Sequence, residues 1–136
     1  GVGLVDAFGD EELRTALEEA RRGVVVYAWS PHMPLSVDGW VEIEAASAAV
    51  GLDVIPVRFQ GGDTSFARRE AERVGMPARA MQEIGSVELV MRDLQVHAPS
   101  ILVFSDGRVS PVLPGYRNEE GYRRFLQNFF GEHEPG

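Results

Sequence analysis

Three short apolar runs, VVVYAW (24–29), LDVIPVRF (52–59) and SILVF (100–104), constrain this chain more than any other feature. Each is continuous and rich in β-branched residues rather than alternating, the pattern of a strand covered on both faces. Such strands need helices to cover them, and the intervening segments supply the helical pattern. DEELRTALEEARRG (10–23) spaces Leu13, Ala16, Leu17 and Ala20 by three or four residues, with acids in its first turn, two arginines in its last and a closing glycine. These are the marks of a capped amphipathic helix. From Ser36 to Val50 the pattern is helical again, with Ser36 the expected N-cap and Gly51 the stop. Gly39 and two preceding prolines make its start irregular. TSFARREAERVG (64–75) and ARAMQEIG (78–85) read as helical pieces separated by Met76 and Pro77. SVELVMRDL (86–94) reads as a short helix, with a strand as the alternative because Val87, Leu89 and Met91 alternate. The turn SDG (105–107) joins SILVF to RVSPVL (108–113) as a hairpin, and Asn118 caps a last helix over 119–130. Tyr122, Phe125, Leu126, Phe129 and Phe130 form its apolar face.

Strand, helix, strand at the front requires a parallel pair with a crossover, and the hairpin adds antiparallel strands to the same sheet. The expectation is an α/β fold: a mixed sheet flanked by helices on both faces. Pro56 cannot donate to a ladder, so LDVIPVRF belongs at an outer position or a bulge. No repeat or linker divides the 136 residues, which are read as one domain, 1–136, with a core over about 10–130 and a helical insertion at 61–85.

Composition removes whole classes of function. Thirteen basic residues against twenty-one acidic ones give a net charge of −8, a poor match for a phosphate backbone, so nucleic acid is not an expected partner. All the basic residues are arginine, which excludes Schiff-base chemistry by lysine. Cysteine is absent, so these residues can form no disulfide, thiolate nucleophile or zinc–thiolate site. No apolar run is long enough to span a bilayer, and no signal peptide is present. What precedes Gly1 is left open.

The order of elements, with a strand ending in Trp29 and Pro99 standing just before the hairpin, resembles the thioredoxin-like fold. In that family the first central strand leads through Trp-Cys-x-x-Cys into a kinked helix, and a cis-proline opens the strand opposite. Here AWSPHM (28–33) takes the first place and HAPSILVFSDGRV (97–109) the second. Trp29 stands at the family tryptophan, Ser30 and Met33 where the two cysteines would be, and Pro99 at the cis-proline. With both cysteines replaced, the resemblance implies the fold without the oxidoreductase activity. By analogy with relatives that work outside the cytoplasm, it also implies a periplasmic or extracytoplasmic location.

What the resemblance leaves at this corner is a groove for a protein or peptide segment, with Trp29, Ser30, Pro31, His32, Met33, Ala98 and Pro99 as its contact residues and no cofactor. A helix starting near Ser30 would aim its amides at a ligand, and the backbone of Ala98 would pair with an extended one. Two alternatives stay open. His32, Met33 and His97 offer imidazole and thioether ligands, a set that suits copper(I). Ser30 at a helix start resembles the hydroxyl that steadies the thiolate in glutathione transferases, although those enzymes carry a second helical domain. A hydrolase built on Ser30 and His32 is weaker, because side chains two residues apart diverge and no third group orients the imidazole. The arginines of ARREAER (67–73) alternate with glutamates, which reads as an ion-paired solvated face rather than an anion site.

Overall fold

In the computed structural model, the residues described are 23–59, 63–81, 83–84, 98–105 and 108–131. The sequence-derived helices at 10–23 (Gly23 apart) and 86–94, the start of the insertion at 61–62, His97 and the tip of the SDG turn lie outside them. The elements run β1 (Val24–Trp29), α1 (Pro34–Ala49), β2 (Asp53–Phe59), α2 (Thr64–Val74), a 3₁₀ turn (Ala78–Met81), β3 (Glu83–Ile84), β4 (Ser100–Ser105), β5 (Arg108–Val109), β6 (Leu113–Pro114) and α3 (Glu119–Gly131).

β1 is central, as its unbroken apolar run requires, and all six of its residues are buried. It pairs in parallel with β2, Val24 opposite Asp53 through Trp29 opposite Arg58. On its other side it pairs antiparallel with β4, Val24 opposite Phe104 through Ala28 opposite Ser100. The sheet order is β3-β2-β1-β4-β5, with β6 also on β4, so the expected mixed sheet flanked by helices is the fold. Val25, Tyr27 and Trp29 on one face join Ile101 and Val103 in a core with Val37, Trp40 and Ile43 of α1 and Tyr122, Leu126 and Phe129 of α3. Val24, Val26 and Ala28, on the other face, are equally buried. Pro56 lies within β2 opposite Tyr27, and β3 reaches only Arg58 and Phe59, so among the described residues no strand asks Pro56 for an outward N–H.

Three local expectations are corrected, and one cap is added. α1 starts at Pro34, not after Ser36: Met33 is the N-cap, and Pro34 supplies the fixed φ of a first helical position. ARAMQEIG is not one helical piece, since Ala78–Met81 is a single 3₁₀ turn and Glu83–Ile84 is captured as a strand by Arg58 and Phe59. RVSPVL is not one strand either. β5 pairs Phe104 with Val109, whereas β6 pairs Ile101 with Leu113, so the returning chain holds one extra residue between them. That is a bulge, and Ser110 builds it: its N–H donates to the Val103 carbonyl at 2.9 Å while its Oγ accepts the Val103 N–H at 2.9 Å. The helix at 64 has a cap the sequence reading passed over, Asp63, whose Oδ1 accepts the N–H groups of Ser65 and Phe66 at 2.9 and 3.2 Å.

Candidate functional site

The β1–β4 register positions the corner. Ala28 pairs with Ser100, so the chain leaves β1 for the corner at the point where Pro99 enters β4, at the same end of two adjacent strands. The Ala98–Pro99 peptide bond is cis. The Pro99 carbonyl accepts the Gly115 N–H at 2.8 Å, which brings a third segment, after β6, to the same end of the sheet. Among the described residues none hydrogen-bonds the backbone of Ala98, which is half-buried.

The corner itself is held by hydroxyls. Ser36, fully buried, donates from Oγ towards the carbonyls of Ser30 and Met33 at 2.8 and 2.7 Å and accepts the Ser30 N–H at 3.0 Å. Ser30 Oγ accepts the His32 N–H at 3.2 Å, and the Met33 N–H closes a turn on the Ser30 carbonyl at 3.1 Å. Pro31 and Pro34 have no N–H to offer. The Ser36 and Val37 amides turn back to the Met33 carbonyl. This corrects the expectation of an amide-lined anion pocket: around the corner only Leu35 keeps an N–H without a partner among the described residues. The amides that would steady a thiolate or another anion are consumed locally.

Trp29, expected as a contact residue, is fully buried, with Nε1 donating to the Ala80 carbonyl at 3.1 Å. It supports the corner from beneath, as does the buried Pro99. His32 and Met33 are exposed, Met33 by 50%, and Ser30 and Pro31 are intermediate. The His32 ring packs on Phe66 of α2 at 5.2 Å between centroids, tilted by 53°, while Ser30 Oγ takes the His32 backbone N–H. His97 lies outside the described residues; among those described, no group of three or more His, Asp or Glu side chains is placed to hold a metal ion.

Two residues missed in the sequence extend this surface. Leu35, in the first turn of α1, is 58% exposed, and Tyr116 is 37% exposed. The Tyr116 ring lies against Gly39, one helical turn from Leu35. An apolar residue straight after Pro34 was a readable signal, because the first turn of a helix over a sheet end seldom buries all its side chains. Tyr116 carried no local signal. Behind the corner, Tyr27 donates to the Ser36 carbonyl at 2.6 Å, and burial foremost holds its phenol well above the ordinary range. Burial likewise pushes Tyr122 up to about 12. Both phenols are therefore neutral anchors rather than acids or bases. α2 is tied to α1 by the exposed Arg73, which reaches Asp38 at 3.2 Å and Glu70 at 3.3 Å, as expected of an ion-paired face.

With this geometry in view, similarity to solved structures can be placed. The chain superimposes on a secreted Mycobacterium tuberculosis disulfide oxidoreductase homologous to E. coli DsbE, with a TM-score of 0.61 at 11% identity, over 85% of this chain and 86% of that one. It also superimposes on a thioredoxin-family thiol:disulfide interchange protein from Chlorobium tepidum (TM-score 0.56, 14% identity, 79% of each chain). A third similar structure is the exposed lipoprotein thioredoxin Etrx1 of Streptococcus pneumoniae (TM-score 0.59, 13% identity, 82% of this chain and 87% of that one). No protein-family model matches the chain, and no curated protein matches it in sequence. The fold is thioredoxin-like. These 136 residues carry it without a cysteine, and so without the dithiol of thiol–disulfide exchange.

Proposed function

We propose that this chain is a redox-inactive thioredoxin-like binding module that holds an extended peptide or protein segment between the Pro31–Met33 corner and Ala98. The observation that carries the reading is the Ala28–Ser100 pairing, which sets the corner beside a backbone segment that has no hydrogen-bond partner among the described residues. An extended ligand gains main-chain hydrogen bonds at Ala98, and exposed Met33 and Leu35 supply adaptable apolar contact beside it. Trp29 and Pro99 keep the two walls in register from below. The neighbours of this fold named as secreted or as a lipoprotein support an extracytoplasmic site of action.

Peptide display provides the test. A random peptide library panned on the intact chain is expected to yield binders that Met33→Asp weakens at least about tenfold, the scale of losing one apolar contact and burying a charge. Val41→Asp, at an equally exposed apolar position of the same helix, should leave them unchanged. Binders indifferent to Met33→Asp would place the binding surface elsewhere.

A further inference from the structure

Three segments meet at the end of the sheet where the proposed groove opens. The corner leaves β1 after Trp29, Ala98 and Pro99 enter β4, and residues 115–117 leave β6, whose Pro114 pairs with Ser100 while the Gly115 N–H holds the Pro99 carbonyl at 2.8 Å. Acid is missing from all three. Residues 28–37, 98–105 and 108–118 contain neither Asp nor Glu, in a chain with twenty-one acids and a net charge of −8. Asp38 and Glu120, just beyond these stretches, are committed to Arg73 and Arg124. Of the two arginines in the stretches, Arg108 stands at the other end of β4, opposite Ser105, and Arg117 stands at this one. The Arg117 stem lies on the first turn of α3, its Cβ 3.2 Å from where a Cβ on Gly121 would stand. Its guanidinium folds back over Gly115, Nη1 lying 3.2 Å from where a Cβ there would stand. One N–H donates to the Tyr116 carbonyl at 2.9 Å; the rest of the fork has no partner, and no carboxylate reaches it, among the described residues. The cation is thus set against the segment that holds Pro99, next to exposed Tyr116 and, across Gly39, Leu35.

We infer that the segment held in the groove is acidic, an Asp or Glu side chain on it pairing with the Arg117 guanidinium while an adjoining apolar side chain rests on Leu35 and Tyr116. The inference rests on the groove reading above and adds the chemistry that the groove selects. A guanidinium with most of its donors open matches a carboxylate in a two-pronged pair. The carboxylate is a side chain's, because an internal stretch of extended chain brings no terminus. A basic segment meets a like charge here and attractive carboxylates elsewhere on this acidic chain, whereas an acidic one is turned away elsewhere and admitted here.

Panning the random peptide library on the intact chain and keeping the binders that Met33→Asp weakens isolates occupants of the groove. Synthesised with acetylated and amidated ends, these should carry an Asp or Glu whose change to Asn or Gln weakens binding about fivefold, the upper end for an exposed ion pair. Arg117→Gln, an exchange at an exposed position, should cost the original peptide as much and leave binding of the Asn or Gln version unchanged. The change in the peptide leaves the protein untouched, so that loss cannot come from a disturbed fold. Capped binders without an essential acid overturn the inference, as do losses on Arg117→Gln that are equal for both peptides, or no loss at all; in each of these cases the groove reading stands. Panning that yields only binders indifferent to Met33→Asp overturns the groove reading and this inference with it.

Discussion

Gly39 sits inside α1, where glycine costs a helix about 1 kcal/mol relative to alanine, and the reason lies in the residue beneath it. A Cβ at this position would meet Tyr27 Oη at 2.7 Å and the Tyr116 ring at 3.3 Å. Tyr27 in turn is fixed by its bond to the Ser36 carbonyl, so it cannot yield without breaking the corner. Gly39→Ala is therefore expected to destabilise the chain by about 2 kcal/mol, as overpacking does. In a Tyr27→Phe background the same change should be close to neutral, giving a coupling of more than about 1 kcal/mol in a urea-denaturation double-mutant cycle. Additive effects would show that the glycine answers to something else. At this scale the sequence was only partly legible. Gly39 showed as an irregularity without a cause, because its cause is a tyrosine twelve positions away. Ser36 was read as a cap because serine ahead of an apolar run normally is one; Pro34 had already started the helix, and the hydroxyl turned inward to tie the corner.

At the level of elements, the strands were legible where burial on both faces leaves a continuous apolar run, and illegible where pairing alone decides. The alternation in RVSPVL suits a strand, yet Pro111 cannot donate and the register advances by one residue between β5 and β6. Ser110 holds that slip, so Ser110→Ala should leave the buried Val103 N–H without its acceptor and cost about 1–3 kcal/mol. Thermal denaturation checks the magnitude, and hydrogen exchange at Val103 should accelerate with it. An unchanged Tm would mean that the bulge is held by other contacts. α3 was read correctly from its apolar face, and Asn118 does cap it, Oδ1 accepting the Gly121 N–H at 2.9 Å. Its second cap was unreadable, because Glu42 reaches across from α1 to accept the Glu119 N–H at 2.8 Å, a partnership 77 residues apart.

For the whole molecule, the succession of runs and helical spacings was enough to reach the fold, since few topologies join those strands without crossing connections. The proposed groove rests on residues that stand where the thioredoxin-like pattern puts its thiols and its proline. The absence of an amide-lined anion pocket there was not legible, because the side-chain hydroxyls and carbonyls that consume those amides cannot be assigned partners before the fold is known. On the proposed reading, the corner has the position of a dithiol site and carries a hydroxyl and a thioether in place of its thiols.

That claim is tested most directly by restoring the thiols. In Ser30→Cys/Met33→Cys the two thiols stand at the ends of the turn that the Met33 N–H closes on the Ser30 carbonyl, and mild oxidation should convert them into an intramolecular disulfide, read as the loss of two hydrogens by intact mass and of both free thiols by alkylation. Two thiols that stay open to alkylation after oxidation of a folded variant would contradict it, for the corner would then lack the geometry of the site it is held to replace.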